Sequence, residues 1–278
     1  MVGKENISTR AIRYFLPPYI RSVTNDDGGV LLDLSSGRCL RLNPVGGKIW
    51  NVLQRYAEGA TGDDLVNEMV KIFPDAGPDI LRRDTGQFLR DLENKGLIHS
   101  NGEGSHPDVT PPKWPQKGFN ELMSEPPGKR ANQTSPGAFT GLQDSVGFAR
   151  EKGSFAYSVL AMLALIGVDL ALKIAGFPLV YRIVSRWPAR RLIARTPPPV
   201  ERICASVDAA CRCYIKPALC LQRSVVATCM LRLAGAPAEM VIAARVMPLQ
   251  SHAWVEVDGR VVNDESRVKS FYQVLDRC

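Results

Sequence analysis

The sequence predicts an α+β protein in two domains, and three observations carry that reading. Residues 1–100 show short strand-like runs followed by three helical patterns. Residues 151–278 reverse the order, with helices first and a strand meander last. Between them, residues 101–150 repeat Pro-Pro, Pro-Gly and Ser-Pro-Gly clusters without any sustained period. A chain of 278 residues has room for two such cores.

The first strand candidate is Tyr19 to Val23, closed by the turn Asn25-Asp26-Asp27-Gly28-Gly29. Val30 to Leu34, a Ser-Ser-Gly turn and Arg38 to Leu42 then read as a hairpin, with Leu40 and Leu42 alternating against charge. Asn43 is placed to cap the first helix, with Pro44 at its first position and Ile49, Trp50 and Leu53 as its apolar side. Thr61 caps the second in Thr-Gly-Asp-Asp, with Leu65, Met69 and Ile72 as its stripe. The third helix is expected from Pro78 to Lys95, with Ile80, Phe88, Leu89 and Leu92 inside and Gly96 as its stop. Three strands and three helices make residues 1–100 a small winged-helix-like domain. Such a module often binds DNA. Here Arg82, Arg83, Arg90 and Lys95 alternate with Asp79, Asp84, Asp91 and Glu93, which describes a solvated helix face and argues against nucleic acid.

Residues 101–150 are expected to be a mobile tether. Ser154 to Val168 is an uncharged run of 15 residues. A span needs about 20, and Asp169 and Lys173 follow, so a buried helix is expected and no membrane span. A second helix is expected over Pro178 to Arg195, broken by Thr196-Pro197-Pro198-Pro199, and a third over Val200 to Tyr214. Ala238 to Val246 reads as a strand.

Charge is unevenly placed. Residues 1–100 carry 13 basic and 13 acidic side chains, whereas residues 151–278 carry 17 and 10. Arg182, Arg186, Arg190, Arg191 and Arg195 fall in a stretch with no acid between Leu170 and Val200. That stretch is either a solvated basic face or a dock for an acidic partner. Seven cysteines, an odd number, exclude a complete intramolecular disulfide framework. Met1 to Arg10 is polar and shows no secretory pattern, so a reducing cytoplasm is expected. Cys204, Cys211, Cys213 and Cys220 cluster at spacings that match no familiar zinc site, and no metal is expected.

The chemistry concentrates between Lys216 and Glu265. Pro217 suits the first turn of a helix in which Leu219, Val226, Cys229, Met230 and Leu233 share one side and Gly235 is the stop. Cys220 then lies in that first turn, where the helix dipole and exposed backbone N–H groups favour a thiolate and a developing oxyanion. Of His99, His106 and His252, only His252 sits in a strand-like run, His-Ala-Trp-Val-Glu-Val, followed by Asp258-Gly259 and Arg-Val-Val-Asn-Asp. That is a hairpin. A two-residue loop would set His252 opposite Glu265. A three-residue loop, Val257-Asp258-Gly259, sets it opposite Asp264 and Glu256 opposite Arg260, and this second register is preferred. Asp264 would then orient the imidazole.

The run Cys220-Leu221-x-Arg223-Ser224, an apolar helix ending in Gly235, Pro237-Ala238 and a strand, then His252 through Asp264, resembles the leader peptidase of lasso-peptide biosynthesis. The resemblance covers about the last 125 residues. It implies a papain/transglutaminase-like fold for the C-terminal domain, with Cys220 as nucleophile, His252 as base and Asp264 as acid. The hairpin ending in Leu42-Asn43-Pro44, the Trp50 helix and the closing Leu92-x-x-Lys95-Gly96-Leu97-Ile98 resemble a PqqD-like precursor-peptide recognition element. That resemblance implies a leader added as a strand against residues 38–42, with Arg38, Leu40, Leu42 and Phe88 as leader-binding residues. Together they imply a cysteine peptidase that separates leader from core in a precursor peptide. A separate ATP-dependent lasso cyclase would then join the freed amine to an acidic side chain. The cysteine chemistry needs no cofactor. A transglutaminase-type acyl transferase on the same residues and a winged-helix regulator are the rival readings.

Overall fold

The computed structural model describes residues 12–101, 154–188 and 199–278. The expected tether, 101–150, and Arg190, Arg191, Arg195 and His106 lie outside the described residues, save Asn101. The chain divides into two compact units: residues 1–36 with 40–115, and residues 37–39 with 116–278.

The first unit runs β1 (Arg13–Phe15), β2 (Ile20–Asn25), β3 (Gly28–Asp33), β4 (Arg38–Leu42), α1 (Pro44–Gln54), β5 (Ala60–Thr61), α2 (Gly62–Ile72), α3 (Pro78–Asn94) and β6 (His99–Ser100). Two three-stranded sheets form, ordered β2-β3-β4 and β5-β1-β6. The second was not expected, because strands of two or three residues are too short to show a period. Capping chemistry sets the helix starts as expected. Asn43 Oδ1 accepts the Gly46 N–H at 2.7 Å. Thr61 and Asp64 exchange hydrogen bonds in a full capping box.

Trp50, Leu53, Leu65, Met69, Leu89 and Leu92 form the core against Leu31 and Leu42. Two expected core positions are wrong. Ile72 and Ile80 are exposed, at 38% and 51%. Leu81, one residue on from Ile80, turns inward instead, together with the buried Thr85. Both errors sit in the end turn of a helix, where the apolar stripe has no neighbour on one side.

The second unit runs α4 (Phe155–Arg186), α5 (Val200–Cys213), α6 (Cys220–Leu233), β7 (Ala238–Arg245), β8 (Gln250–Val257), β9 (Arg260–Val261), α7 (Val268–Phe271) and β10 (Gln273–Arg277). The sheet is ordered β10-β7-β8-β9 and its pairs are antiparallel. The two helices expected at 154–168 and 178–195 are both present within Phe155–Arg186, separated at Gly176, whose non-helical φ of 73° and ψ of −173° fall two residues before Pro178; the second is described as far as Arg186. The α4 helix is long and apolar enough to cross a membrane by length and composition alone. It was expected to be buried, but only one face is. Ala161 and Leu165 join Ile203, Val207, Val226, Met230 and Val255 in the core, while Phe155, Leu163 and Ile174 are open to solvent.

Helix α6 was read as one-sided and is central instead. It packs on α4, α5, β7 and β8, and Leu221, Ser224, Val225, Val226, Ala227, Thr228, Met230 and Leu231 are all buried. A helix surrounded on all sides has no polar face to give it a period. Opposite the helices, Glu256 is a buried carboxylate held by Trp254 Nε1 at 2.8 Å, Arg277 at 2.9 Å and Lys269 at 3.1 Å. These bonds tie β8 to β10 and α7. Burial opposes its charge, yet these donors hold its carboxyl below the ordinary value.

Gly28 gives a direct stability test of the first unit. Its φ is +127°, and an added Cβ would stand 2.2 Å from the Leu42 carbonyl oxygen and 3.0 Å from the Asn43 carbonyl carbon. Gly28→Ala is expected to cost about 3 kcal/mol or more, read as a lower denaturant midpoint for the first unit, since backbone on both sides must shift.

Candidate active site

The second unit brings Cys220, His252 and Asp264 together. Cys220 is the first residue of α6, after Leu219 at the N-cap. Pro217 was expected inside the helix and lies in the irregular stretch before it. Leucine has no side-chain acceptor for a helix start. Gln222 acts from inside instead, its Oε1 accepting the Leu219 N–H at 2.8 Å. Gln222 Nε2 also donates to Asp169 of α4 at 3.2 Å, and Lys216 reaches Asp169 at 2.6 Å. The approach to Cys220 is thus pinned to α4. Helix geometry leaves the N–H groups of the first turn pointing out of the helix end.

His252 lies on β8, opposite Ala243 of β7. Its Nε2 is 2.7 Å from Asp264 Oδ2, which leaves Nδ1 as the nitrogen for its hydrogen bond with Cys220. The imidazole ring centroid is 5.2 Å from that of Tyr272 and 6.1 Å from that of Trp254.

The hairpin register differs from the one preferred on sequence. Glu256 pairs with Val261 and Val257 with Arg260, so the loop is the two-residue Asp258-Gly259. Both loop residues have positive φ, 49° and 74°, as a type I′ turn requires. The expected Glu256–Arg260 pair does not form. Continued, this register would set Glu265 opposite His252, yet Asp264 meets the imidazole because β9 stops at Val261 and the chain bends. Asn263 makes that bend. Val262 N–H still donates to the Val255 carbonyl at 3.0 Å, but the Val255 N–H donates to Asn263 Oδ1 at 2.6 Å. Asn263 Nδ2 then donates to Ser224 Oγ at 3.0 Å, and Ser224 donates to the Ala253 carbonyl at 2.9 Å. Ser224 is one turn after Cys220. One buried hydroxyl therefore links the cysteine's helix, the histidine's strand and the aspartate's bend. Glu265 contributes its backbone, donating to Asp264 Oδ1 at 2.7 Å, while its side chain pairs with exposed Arg267.

Burial acts against charge on His252, but the hydrogen bonds to Asp264 and Cys220 outweigh it and lift its pKa to about 9. Burial likewise acts against the Asp264 carboxylate. His252, the Glu265 N–H and the more distant Arg223 overcome it and hold the carboxyl below its ordinary value. Arg223 itself pairs with Asp208 of α5 at 2.9 Å.

Of the leader-binding residues expected on sequence, Leu40, Leu42 and Phe88 fall in the first unit, whereas Arg38, at the start of β4, is grouped with the second. Arg38 and Leu40 are half-buried on β4, an edge of its sheet. Phe88 is half-buried on α3 and lies so close to Gly46 of α1 that a Cβ there would stand 3.0 Å from its ring. Leu42 differs from the expectation, being 3% exposed and part of the core, so its side chain has no free surface to offer a peptide. Sequence reading missed Asn263, Ser224, Gln222 and Tyr272. For two of them a signal existed: Ser224 is four residues from Cys220, hence on the same helix face, and Asn263 adjoins Asp264.

Comparisons with known proteins agree with this architecture. Residues 164–276 match the family model of the transglutaminase-like superfamily, and residues 28–98 match that of coenzyme PQQ synthesis protein D, PqqD. The second unit is therefore a transglutaminase-like domain, the class of cysteine hydrolases and transferases, and the first is PqqD-like. A solved structure, "TbiB1 in Complex with the TbiA(beta) Leader Peptide", is 28% identical over 33% of this chain and 96% of that chain, with a TM-score of 0.28. No curated protein matches the chain.

The His252 pKa has two consequences. Because the folded value is raised from 6.5 to about 9, its stabilising contribution is full below pH 6.5 and disappears as pH rises through about 9. NMR of the imidazole is expected to show titration near 9 in the native chain and a clear fall in Asp264→Asn. Asn263→Ala is expected to cost about 1–3 kcal/mol in denaturant unfolding, because it strands the Val255 N–H.

Proposed function

We propose that this chain is a cysteine peptidase that cuts the leader from a ribosomally made precursor, and that the precursor is a lasso peptide. The observation that carries the reading is the Cys220–His252–Asp264 arrangement in a transglutaminase-like domain, joined in one chain to a PqqD-like unit. The resemblance of the stretch from Cys220 to Asp264 to lasso-peptide leader peptidases supplies the substrate class.

In this reading the leader adds to the β4 edge, using main-chain hydrogen bonds for affinity. Arg38, Leu40 and Phe88 then give the side-chain contacts. The Cys220 sulfur attacks the carbonyl carbon at the leader–core junction, and the N–H groups at the start of α6 face the oxyanion. His252, charged at neutral pH, gives its proton to the departing amine of the core as the C–N bond breaks. The leader stays as a thioester on Cys220. His252, now neutral, takes a proton from water, whose oxygen attacks the thioester and releases the leader carboxylate. Asp264 keeps the imidazole oriented and its charged form favoured throughout. The freed core amine is the substrate of an ATP-dependent cyclase acting separately.

Cys220→Ala is expected to abolish cleavage of the precursor while leaving leader affinity unchanged, measured by mass spectrometry and by peptide anisotropy. Retained cleavage would remove Cys220 from the nucleophile role. Replacing Leu40 with Asp on the β4 edge is expected to raise KM on the order of tenfold with little change in kcat. An unchanged KM would count against that edge as the leader site.

A further inference from the structure

Helix α4 turns one face to α5 and α6 and leaves the other without a partner among the described residues. From Phe155 to Ile174 the exposed positions are Phe155, Ala156, Val159, Leu160, Leu163, Ile166, Gly167, Leu170, Lys173, Ile174 and no others. At 100° per residue they fill one continuous arc of about 140°. The arc is about 30 Å long at 1.5 Å per residue. Its exposure is high at Phe155 (86%), Leu163 (62%) and Ile174 (73%). No acid lies on it. Asp169, the helix's one acid, pairs with Lys216 at 2.6 Å and with Lys173 at 3.6 Å, and so lies at the border of the arc rather than on it. Lys173 borders the arc, and beyond the bend at Gly176 the exposed Arg182 and Arg186 follow one turn apart. The sequence has no acid from Leu170 to Val200.

We propose that this face, with Lys173, Arg182 and Arg186, docks the protein on an anionic lipid bilayer. An apolar stripe followed by cations supplies the two signals that peripheral binding needs: acyl-chain contact and attraction to acidic headgroups. The helix lies in the plane of the surface and does not cross it. Ala161 and Leu165 hold its other face in the core, and Asp169 is tied to Lys216 and Gln222 beside Cys220. A span would break all of these contacts.

A second copy fits the face less well. Antiparallel pairing brings the arginine end against the Phe155 end, whose first turn has no acid. Parallel pairing sets cation against cation. A docking protein of ordinary kind would look for hydrogen-bonding groups around an apolar centre, and the arc offers only Lys173. The proposal does not rest on the cleavage reading, and its test leaves peptidase activity as an independent control.

The test is co-sedimentation of the full chain with vesicles of phosphatidylcholine, with and without phosphatidylglycerol. The expected result is binding that requires phosphatidylglycerol and weakens when salt is raised from about 0.15 M to about 0.5 M. Leu163→Glu with Ile166→Glu is expected to reduce partitioning on the order of tenfold, as is Arg182→Glu with Arg186→Glu. Circular dichroism checks that each variant is folded, and Ile174→Glu alone, at the most open aliphatic position of this face, serves where the double variant is not. No sedimentation, or sedimentation unchanged by the face variants, overturns the proposal. So does a solution dimer, or a stable complex with a soluble protein, that the face variants dissolve while vesicles stay empty.

Discussion

A partly buried imidazole whose charged form is favoured by its two partners is the constraint on which the second unit depends. Taking a cation out of water is unfavourable, and nothing in an apolar core offsets that. His252 is offset locally, by the Asp264 carboxylate at 2.7 Å on one nitrogen and by Cys220 on the other. Each partner must then be delivered to one place by a different element: a helix start, a strand centre and a bend after a hairpin. The sheet gives the histidine, opposite Ala243, a rigid bed. Helix α6 must be central for its first residue to reach that bed, and its burial on every side follows. The Ser224–Asn263 bonds close the arrangement by joining helix, strand and bend through buried polar atoms that are fully partnered.

The first unit is organised by different means. Helices α1 and α2 start on side-chain caps, and the core is aliphatic around Trp50. The sheet β2-β3-β4 ends on a strand whose outer main chain has no neighbour within that sheet. An edge of this kind is normally protected by charge, and β4 carries Arg38 and Arg41. The two units are thus organised by unlike parts of the physics, an aliphatic core in one and a partly buried charge network in the other.

What could be read from the sequence follows from how local each cause is. Asn43 with Pro44, and Thr61 with Asp64, fix helix starts within four residues, and both were legible. Cys220 at a helix start and His252 on a strand were legible for the same reason. Asp264 was reached by the wrong route. The turn Asp258-Gly259 takes the two-residue register, which on strand geometry alone selects Glu265. Only the bend made by Asn263, satisfying a backbone N–H with its side chain, brings Asp264 to the imidazole. A side chain standing in for a strand leaves no periodic trace. Nor does an all-round buried helix, which is why α6 looked one-sided. The opposite error befell α4, whose apolar run looked like core and is exposed along one face. Hydrophobicity reports that a surface avoids water, not what covers it.

The most direct measurement is of the covalent step. Enzyme and precursor peptide, mixed in water enriched in oxygen-18 and quenched in acid during turnover, are analysed by intact-mass and peptide-level mass spectrometry. The account predicts a leader-sized adduct on Cys220 and one heavy oxygen in the released leader carboxylate. Cleavage with no adduct on Cys220 while turnover is in progress, or a leader ending in an amide drawn from another amine, would contradict it.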